Sequence, residues 1–297
     1  MNIFDETTDF VFKNTAVTLG KFDGMHIGHR QLITRVLDEK KQYGYETILF
    51  SFDTSKMTGG KSITTKNERN LLCDEYGIDH VIYYPVNQET MSIEPEEFIE
   101  KILVGKLDVK LVVTGEDFRF GKNRRGDIGM LFQYSEKYGY ELSVQKSVTL
   151  EGVRASSTRI KEYLQSGDVE NAGKMLGYHY FILGDVERGQ QIGRTIDART
   201  ANIIPGQDKM IPLSGVYKTA IYIDGIKYKS ITNIGLCPTV RENGEITVET
   251  HIFDFDENVY GKSVKIEFEK FIRKEKKFSN IDELKNQIAL DILSANL

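Results

Sequence analysis

The chain is short of the residues that staple, anchor or broadly charge a protein. Its 297 residues include two cysteines, Cys73 and Cys237, which lie far apart and form no metal or redox spacing. Both are read as free thiols of a reducing compartment. No run of about eighteen apolar residues occurs, so no membrane-spanning helix is expected. Basic residues are not in excess, and the formal charge of −5 supplies no overall field to hold nucleic acid. That balance leaves room for a local phosphate site. Residues 1–9 carry acidic side chains and no long apolar run, so no signal peptide is expected, and the cytoplasm is the expected location. Low-complexity segments and repeats of solenoid period are missing too. Histidine is also scarce, at five in all, which makes any close pair of histidines informative.

What the chain does contain is a soluble, globular composition, 40% hydrophobic and 28% charged, long enough for two domains. Residues 16–37 are its most informative stretch. An apolar run through Val17 and Leu19 breaks at Gly20 and reaches Gly24, and after His26 and His29 apolar residues return at helical spacing, Leu32, Ile33, Val36 and Leu37. The pattern reads strand, glycine loop, helix. Such a loop lets backbone approach a ligand, and the helix start offers unpaired N–H groups and a positive dipole end, which together suit an anion. Two plainer readings compete. Paired histidines bind metals, but no Cys, Asp or Glu at ligand spacing completes a set here. A helix cap with incidental histidines needs no ligand at all.

Further on, strands and helices alternate. Residues 47–52, 80–84 and 110–114 read as strands, and 68–76 and 94–103 as helices, with Pro95 in a first turn. This order predicts a parallel sheet with helices on both faces and a ligand site beyond the strand ends, where Gly20, Asp53 and Gly115 fall. The loop at 115–127 mixes Phe118 and Phe120 with Lys122, Asn123, Arg124 and Arg125. A solvated charged turn is the plain reading, yet two phenylalanines there suit a flat ring system. At 156–161, Ser156, Ser157 and Thr158 precede Arg159, which is an N-cap or a phosphate clamp. From Tyr180 the pattern changes to short β runs at 181–186, 215–223, 226–234, 246–253 and 263–268. Asp224-Gly225 is a hairpin signal, and 281–293 reads as a closing amphipathic helix. A small antiparallel barrel follows, and a domain boundary between 1–176 and 177–297.

The motif Gly20-x-Phe22-Asp23-Gly24-x-His26-x-Gly28-His29 resembles the HxGH nucleotidyltransferase superfamily, and its Phe-Asp-Gly form resembles the FAD synthetase branch. The resemblance implies a Rossmann-like domain in which His26 and His29 hold ATP phosphates, with Gly20, Phe22, Asp23, Gly24, Gly28, Ser157, Thr158 and Arg159 around the nucleotide. Gly115-x-Asp117-Phe118-x-Phe120-Gly121 resembles that family's flavin-side loop, which makes Asp117, Phe118, Phe120, Gly121, Lys122 and Asn123 the implied flavin contacts. The order of glycines, Thr200-Ala201-Asn202, Glu249 and Tyr260-Gly261-Lys262 resembles riboflavin kinase across residues 181–293. That implies Glu249 as general base, Thr200 and Asn202 toward Mg²⁺ and phosphate, and Gly193 and Arg194 toward ATP.

The whole chain is thus similar to the bifunctional riboflavin kinase and FMN adenylyltransferase family, with riboflavin, FMN, FAD and ATP as substrates or products and Mg²⁺ as cofactor. Small molecules are the implied partners; no nucleic acid or membrane is implied, and self-association is left open. Three departures stand out: Thr54-Ser55-Lys56 replaces Pro-His-Pro after Phe52-Asp53, Asp197-Ala198-Arg199 replaces Gly-Phe-Pro, and Lys161 replaces an arginine. They keep open a flavin-binding regulator with weakened catalysis. An adenylyltransferase for another phosphate compound is a third reading, but it leaves the second half unexplained.

Overall fold

The computed structural model describes residues 1–54, 59–187, 200–236, 246–276 and 281–296. Ser55, Lys56, Gly193, Arg194, Asp197, Ala198, Arg199 and Cys237 lie outside them. Two compact units divide the chain, Met1–Ser156 and Ser157–Leu297.

In the first unit, six strands form one parallel sheet: β1 (Asn2–Asp5), β2 (Thr15–Gly20), β3 (Glu46–Asp53), β4 (His80–Pro85), β5 (Val109–Gly115) and β6 (Glu141–Gln145), in the order β1-β4-β3-β2-β5-β6. The central strands are covered on both faces, which is why they read as unbroken apolar runs. One face buries Val17, Leu19, Ile48, Phe50, Ile82 and Val112 against Phe98, Ile99, Ile102, Leu103 and Leu131. Each such side chain contributes roughly 1.5–3 kcal/mol relative to exposure. The helix expected at 94–103 is Pro95–Glu97 followed by a wider π-type turn at Phe98–Lys106. Helix α1 (Ile27–Tyr43) lies on the sheet, with Leu32, Ile33 and Val36 buried. Gly44 ends it in the left-handed region at φ 71°, its N–H donating to the Lys40 carbonyl. Helix α2 (Lys66–Tyr76) opens on a reciprocal cap between Thr65 and Glu68, and α3 (Ile128–Tyr138) opens on Asp127. Cys73 in α2 is a free thiol, buried enough that its pKa is pushed up to about 12.

A short antiparallel pair, β7 (Thr149–Leu150) and β8 (Val153–Arg154), ends the first unit. The second unit begins with α4 (Ser157–Ser166) and α5 (Val169–Leu176), followed by the strands β9 (Phe181–Glu187), β10 (Thr200–Pro205), β11 (Gly215–Ile223), β12 (Ile226–Leu236), β13 (Ile246–Ile252) and β14 (Ser263–Lys274). The six strands close into an antiparallel barrel, β10-β13-β12-β11-β14-β9. Asp224 and Gly225 both take positive φ, 50° and 81°, and close β11 onto β12 as the dipeptide foretold. Inside the barrel, the buried hydroxyls of Thr219, Ser230, Thr232 and Thr250 bond to one another at 2.7–2.9 Å, so no buried hydroxyl of this row is left unmet. Helix α6 (Ile281–Asn296) packs on the barrel, where Arg273 grips its buried Asp291 in a two-pronged ion pair at 2.7 and 2.8 Å.

The boundary expected after Leu176 falls at the end of α5, whereas the compact unit starts at Ser157. Helices α4 and α5 belong to the barrel by contact: the Leu164 carbonyl accepts from the Leu213 N–H at 3.0 Å, and α5 lies on β14. Among the described residues no helix is long and apolar enough to cross a membrane.

Candidate active sites

The first site forms where β2 ends. Between Gly20 and His26 the backbone reverses through three positive φ values, at Phe22 (52°), Gly24 (83°) and Met25 (44°). Two of these are large side chains, and full burial of Phe22 and Met25 holds them in that unfavourable region. Asp23 fastens the loop from the other side. Its carboxylate accepts from the Ile63 N–H at 2.8 Å and the Thr64 N–H at 3.3 Å, while the Gly24 N–H donates to Thr64 Oγ1 at 3.0 Å. Asp23 therefore shapes the loop.

His26 caps α1: its Nδ1 accepts the His29 N–H at 3.3 Å, so its ring proton sits on Nε2. The two imidazoles stack with centroids 3.7 Å apart and planes 16° apart. Gly28 makes that stack possible, since a Cβ there would lie 3.1 Å from His26 Cε1. Burial lowers the His26 pKa to about 4 against an opposing pull from Asp23. His29 is held well below its ordinary value, first by burial, then by His26 and by Arg69. At neutral pH both rings are uncharged hydrogen-bonding groups. His29 Nδ1 is buried with no hydrogen-bond partner among the described residues, the condition of a group awaiting a ligand.

Gly28→Ala separates this geometry from fold stability. Alanine is favoured over glycine in a helix by up to about 1 kcal/mol, so thermal stability is expected to hold or rise. The stacked rings must shift, and any turnover that depends on the His26–His29 pair is expected to fall by roughly tenfold. Thermal melts and steady-state rates on one preparation check both.

The loop after β5 supplies an aromatic wall. Phe118 and Phe120 stack at 5.7 Å and 16°, and Phe52 lies 6.1 Å from Phe118. Phe120 is 3% exposed and belongs to the core beside Phe98, so Phe118 and Phe52 are the half-buried rings with surface to offer. In the sequence Phe52 reads as strand interior, and only the fold puts its ring beside Phe118. Gly121 is needed where it stands: φ is 67° and a Cβ would meet Pro95 Cα at 2.7 Å. Asn123 also takes positive φ, 54°. Lys122 and Arg125 both bind Glu94 at 2.7 Å, and Asp117 binds Arg154 at 2.7 Å. Among the described residues, the one metal-like cluster of acidic groups is Asp5, Glu6 and Asp53. Lys66 Nζ sits 2.6 Å from Asp5 and 2.8 Å from Asp53, so an ammonium already bridges two of its three carboxylates.

In the second unit, Ser157 and Thr158 open α4, and Arg159 is exposed with Glu162 at 2.6 Å. Thr200 begins β10. Two residues on, Asn202 stands directly opposite Glu249 on β13, and Glu249 stands opposite Asn233 on β12. Asn202, Glu249 and Asn233 therefore form a row on one face of the barrel. Their neighbours Val248 and Thr250 point the other way, into the interior. Glu249 is half-buried, and burial together with the nearby Glu275 carboxylate raises its pKa above the ordinary carboxylate value. Glu275 reaches over Gly235, where a Cβ would lie 2.6 Å from its Oε1. Strand register brings Asn233 to Glu249, and only the chain's path after β14 brings Glu275 there, which no local pattern in the sequence signals.

Comparison with known proteins agrees with this two-part layout. Residues 10–159 match the family model for FAD synthetase, and residues 176–297 match that for riboflavin kinase. The chain is 30% identical over 289 residues to a bifunctional riboflavin kinase/FMN adenylyltransferase of Pseudomonas fluorescens, covering 95% of this chain and 92% of that one. It is 33% identical over 292 residues to the protein of the same description from Haemophilus influenzae, covering 96% and 94%. A crystal structure described as a macrolide-efflux protein from Streptococcus pneumoniae superposes with a TM-score of 0.88 at 26% identity, covering 99% and 98%. With both halves matched and relatives aligned over nearly their whole length, the chain belongs to the bifunctional riboflavin kinase/FMN adenylyltransferase family.

Proposed function

We propose that the family's two reactions are divided between the two units, with His26 and His29 serving adenylyl transfer and Glu249 serving riboflavin phosphorylation. The observation that carries this is the contrast between the sites: a neutral histidine pair at a helix start in one, a half-buried carboxylate with raised pKa in the other. In the first unit an FMN phosphate oxygen attacks the α-phosphorus of ATP. One P–O bond forms, the bond to the β-phosphate bridge breaks, and pyrophosphate leaves. The nucleophile is already an anion, so no base is needed. The site's task is alignment and stabilisation of charge at phosphorus, through imidazole N–H groups and the free N–H groups of α1. The Phe52 and Phe118 rings suit the flavin.

In the second unit the nucleophile is a ribityl hydroxyl. Glu249 takes its proton as the oxygen attacks the γ-phosphorus of ATP, and ADP leaves. Asn202 and Asn233 flank the carboxylate and hold it in register. Amide and carboxylate oxygens are the hard donors that Mg²⁺ prefers, so Asn202, with Thr200 at the strand start, fits such an ion. Bound there, Mg²⁺ supplies charge neutralisation across the phosphate oxygens. The partners are small molecules, and the reading places the protein in the cytoplasm, where Cys73 stays reduced. No observation favours the paralogue with weakened catalysis.

Fragments test the division. A fragment of residues 157–297 is expected to fold and to convert riboflavin to FMN but not to FAD, as read by chromatography. One of residues 177–297 is expected to melt lower, because it lacks the helices that Leu213 and Phe271 pack against. FAD production by the longer fragment would sink the assignment.

A further inference from the structure

Two neutral histidines leave the first site short of positive charge; Arg154, whose charge reaches His26, is paired with Asp117, and a second cation whose charge reaches His29 is buried beside the loop. Arg69 lies on α2 and is 8% exposed. Its Nη1 donates to Ser51 Oγ at 3.1 Å, and that hydroxyl donates to the Lys21 carbonyl at 3.1 Å. Ser51 is the strand partner of Gly20, so this chain of bonds ends on the loop that leads to His26. Its Nη2 faces the Thr64 carbonyl at 3.4 Å, in the segment that Asp23 and Gly24 clasp. The guanidinium stacks on the buried Tyr83 ring, 5.4 Å from its centroid. Nε has no hydrogen-bond partner, and Arg69 forms no ion pair among the described residues.

The anions nearby are engaged elsewhere. Asp5 and Asp53 bind Lys66, and Asp23 binds backbone N–H groups. A buried charge without a counter-ion is costly unless something compensates it. Its charge also reaches His29, adding to burial in keeping that ring neutral.

We propose that Arg69 is a positioning residue of the adenylyl-transfer site, a fixed cation under the Gly20–Gly24 loop that draws in and orients the pyrophosphate portion of ATP. It holds the loop through Ser51 and offers the charge that the imidazoles lack. The proposal rests on the reading that the triphosphate lies at the start of α1.

Inorganic pyrophosphate, titrated calorimetrically into the full-length chain, is the probe. Arg69→Gln is expected to weaken pyrophosphate binding by about ten- to a hundredfold and to raise KM for ATP in FAD formation comparably, with a smaller change in kcat. Arg69→Met, which keeps an apolar stem on Tyr83, guards against a Gln variant that fails to fold and is expected to behave alike. Arg69→Lys restores the charge without the fork and is expected to recover binding to within about fivefold of the parent. Riboflavin phosphorylation is expected to be unchanged in all three. Parent-like pyrophosphate affinity and KM in folded Arg69→Gln or Arg69→Met overturn the proposal, as does an Arg69→Lys variant that loses as much as Arg69→Gln. His29→Ala in the same titration separates the two readings. If it binds pyrophosphate like the parent, the site itself is misplaced; if it weakens while Arg69→Met does not, only the role of Arg69 falls.

Discussion

Glu249→Gln is expected to lower riboflavin phosphorylation by about a hundred- to ten-thousandfold while FAD formation from supplied FMN continues at the parent rate. The substitution keeps the shape and hydrogen bonding of the side chain and removes only its ability to take a proton. Riboflavin binding, followed by fluorescence quenching, is expected to survive. The pH behaviour gives an independent check. Because burial and Glu275 raise the Glu249 pKa, the basic form is lost at less acid pH than for an ordinary carboxylate, and the parent's kinase rate should fall there. Stability runs the opposite way. A carboxyl group whose pKa is raised by folding contributes stability that is present below its unfolded value and lost as pH rises through its folded value. At neutral pH the ionised Glu249 is therefore a burden, and Glu249→Gln should melt at or above the parent's temperature. A variant that melts lower, with normal turnover of the folded protein, identifies Glu249 as a packing residue and moves the base elsewhere.

His29→Ala is expected to lower FAD formation from FMN by about a hundred- to a thousandfold, the scale of removing one preorganised donor from a charged transition state. Riboflavin phosphorylation should stay near the parent rate, since His29 lies within the first unit and Glu249 within the second. The loss should exceed that of Gly28→Ala, which displaces the rings without deleting one. Both histidines have lowered pKa values in the folded state, so the stability they confer is present above about 6.5 and is lost as pH falls below it, toward about 4 for His26. Removing His29 should flatten this acid-side decline in thermal melts. Full FAD formation in the variant excludes His29 from the mechanism.

Much of this architecture can be read locally. The apolar runs at 47–52 and 80–84 are buried on both faces, and a strand buried so shows no alternation to confuse it with anything but a core segment. Asp224-Gly225 names its own turn because few other dipeptides tolerate two positive φ values. Strand β1 is harder: four residues at the chain start carry little periodicity, and only pairing with β4 makes them a strand. The π-type turn at Phe98–Lys106 likewise has the composition of an ordinary helix.

The site divides in the same way. The amino-acid sequence by itself determined that a glycine loop carrying two histidines leads into a helix, that Glu249 lies on a strand of a small barrel, and that Gly28 and Gly121 are glycines, because these depend on residue type and near neighbours. Tertiary structure alone decided that Phe120 is core while Phe118 keeps surface, that Asp23 serves the backbone of Ile63 and Thr64, and that Asn233 and Glu275 stand beside Glu249. It also put Arg69, forty residues beyond His29 in sequence, under the same loop. The reason is physical. Burial, pKa and ion pairing are set by whatever the fold brings within a few ångströms, and strand register and helix docking bring together residues that share no local pattern.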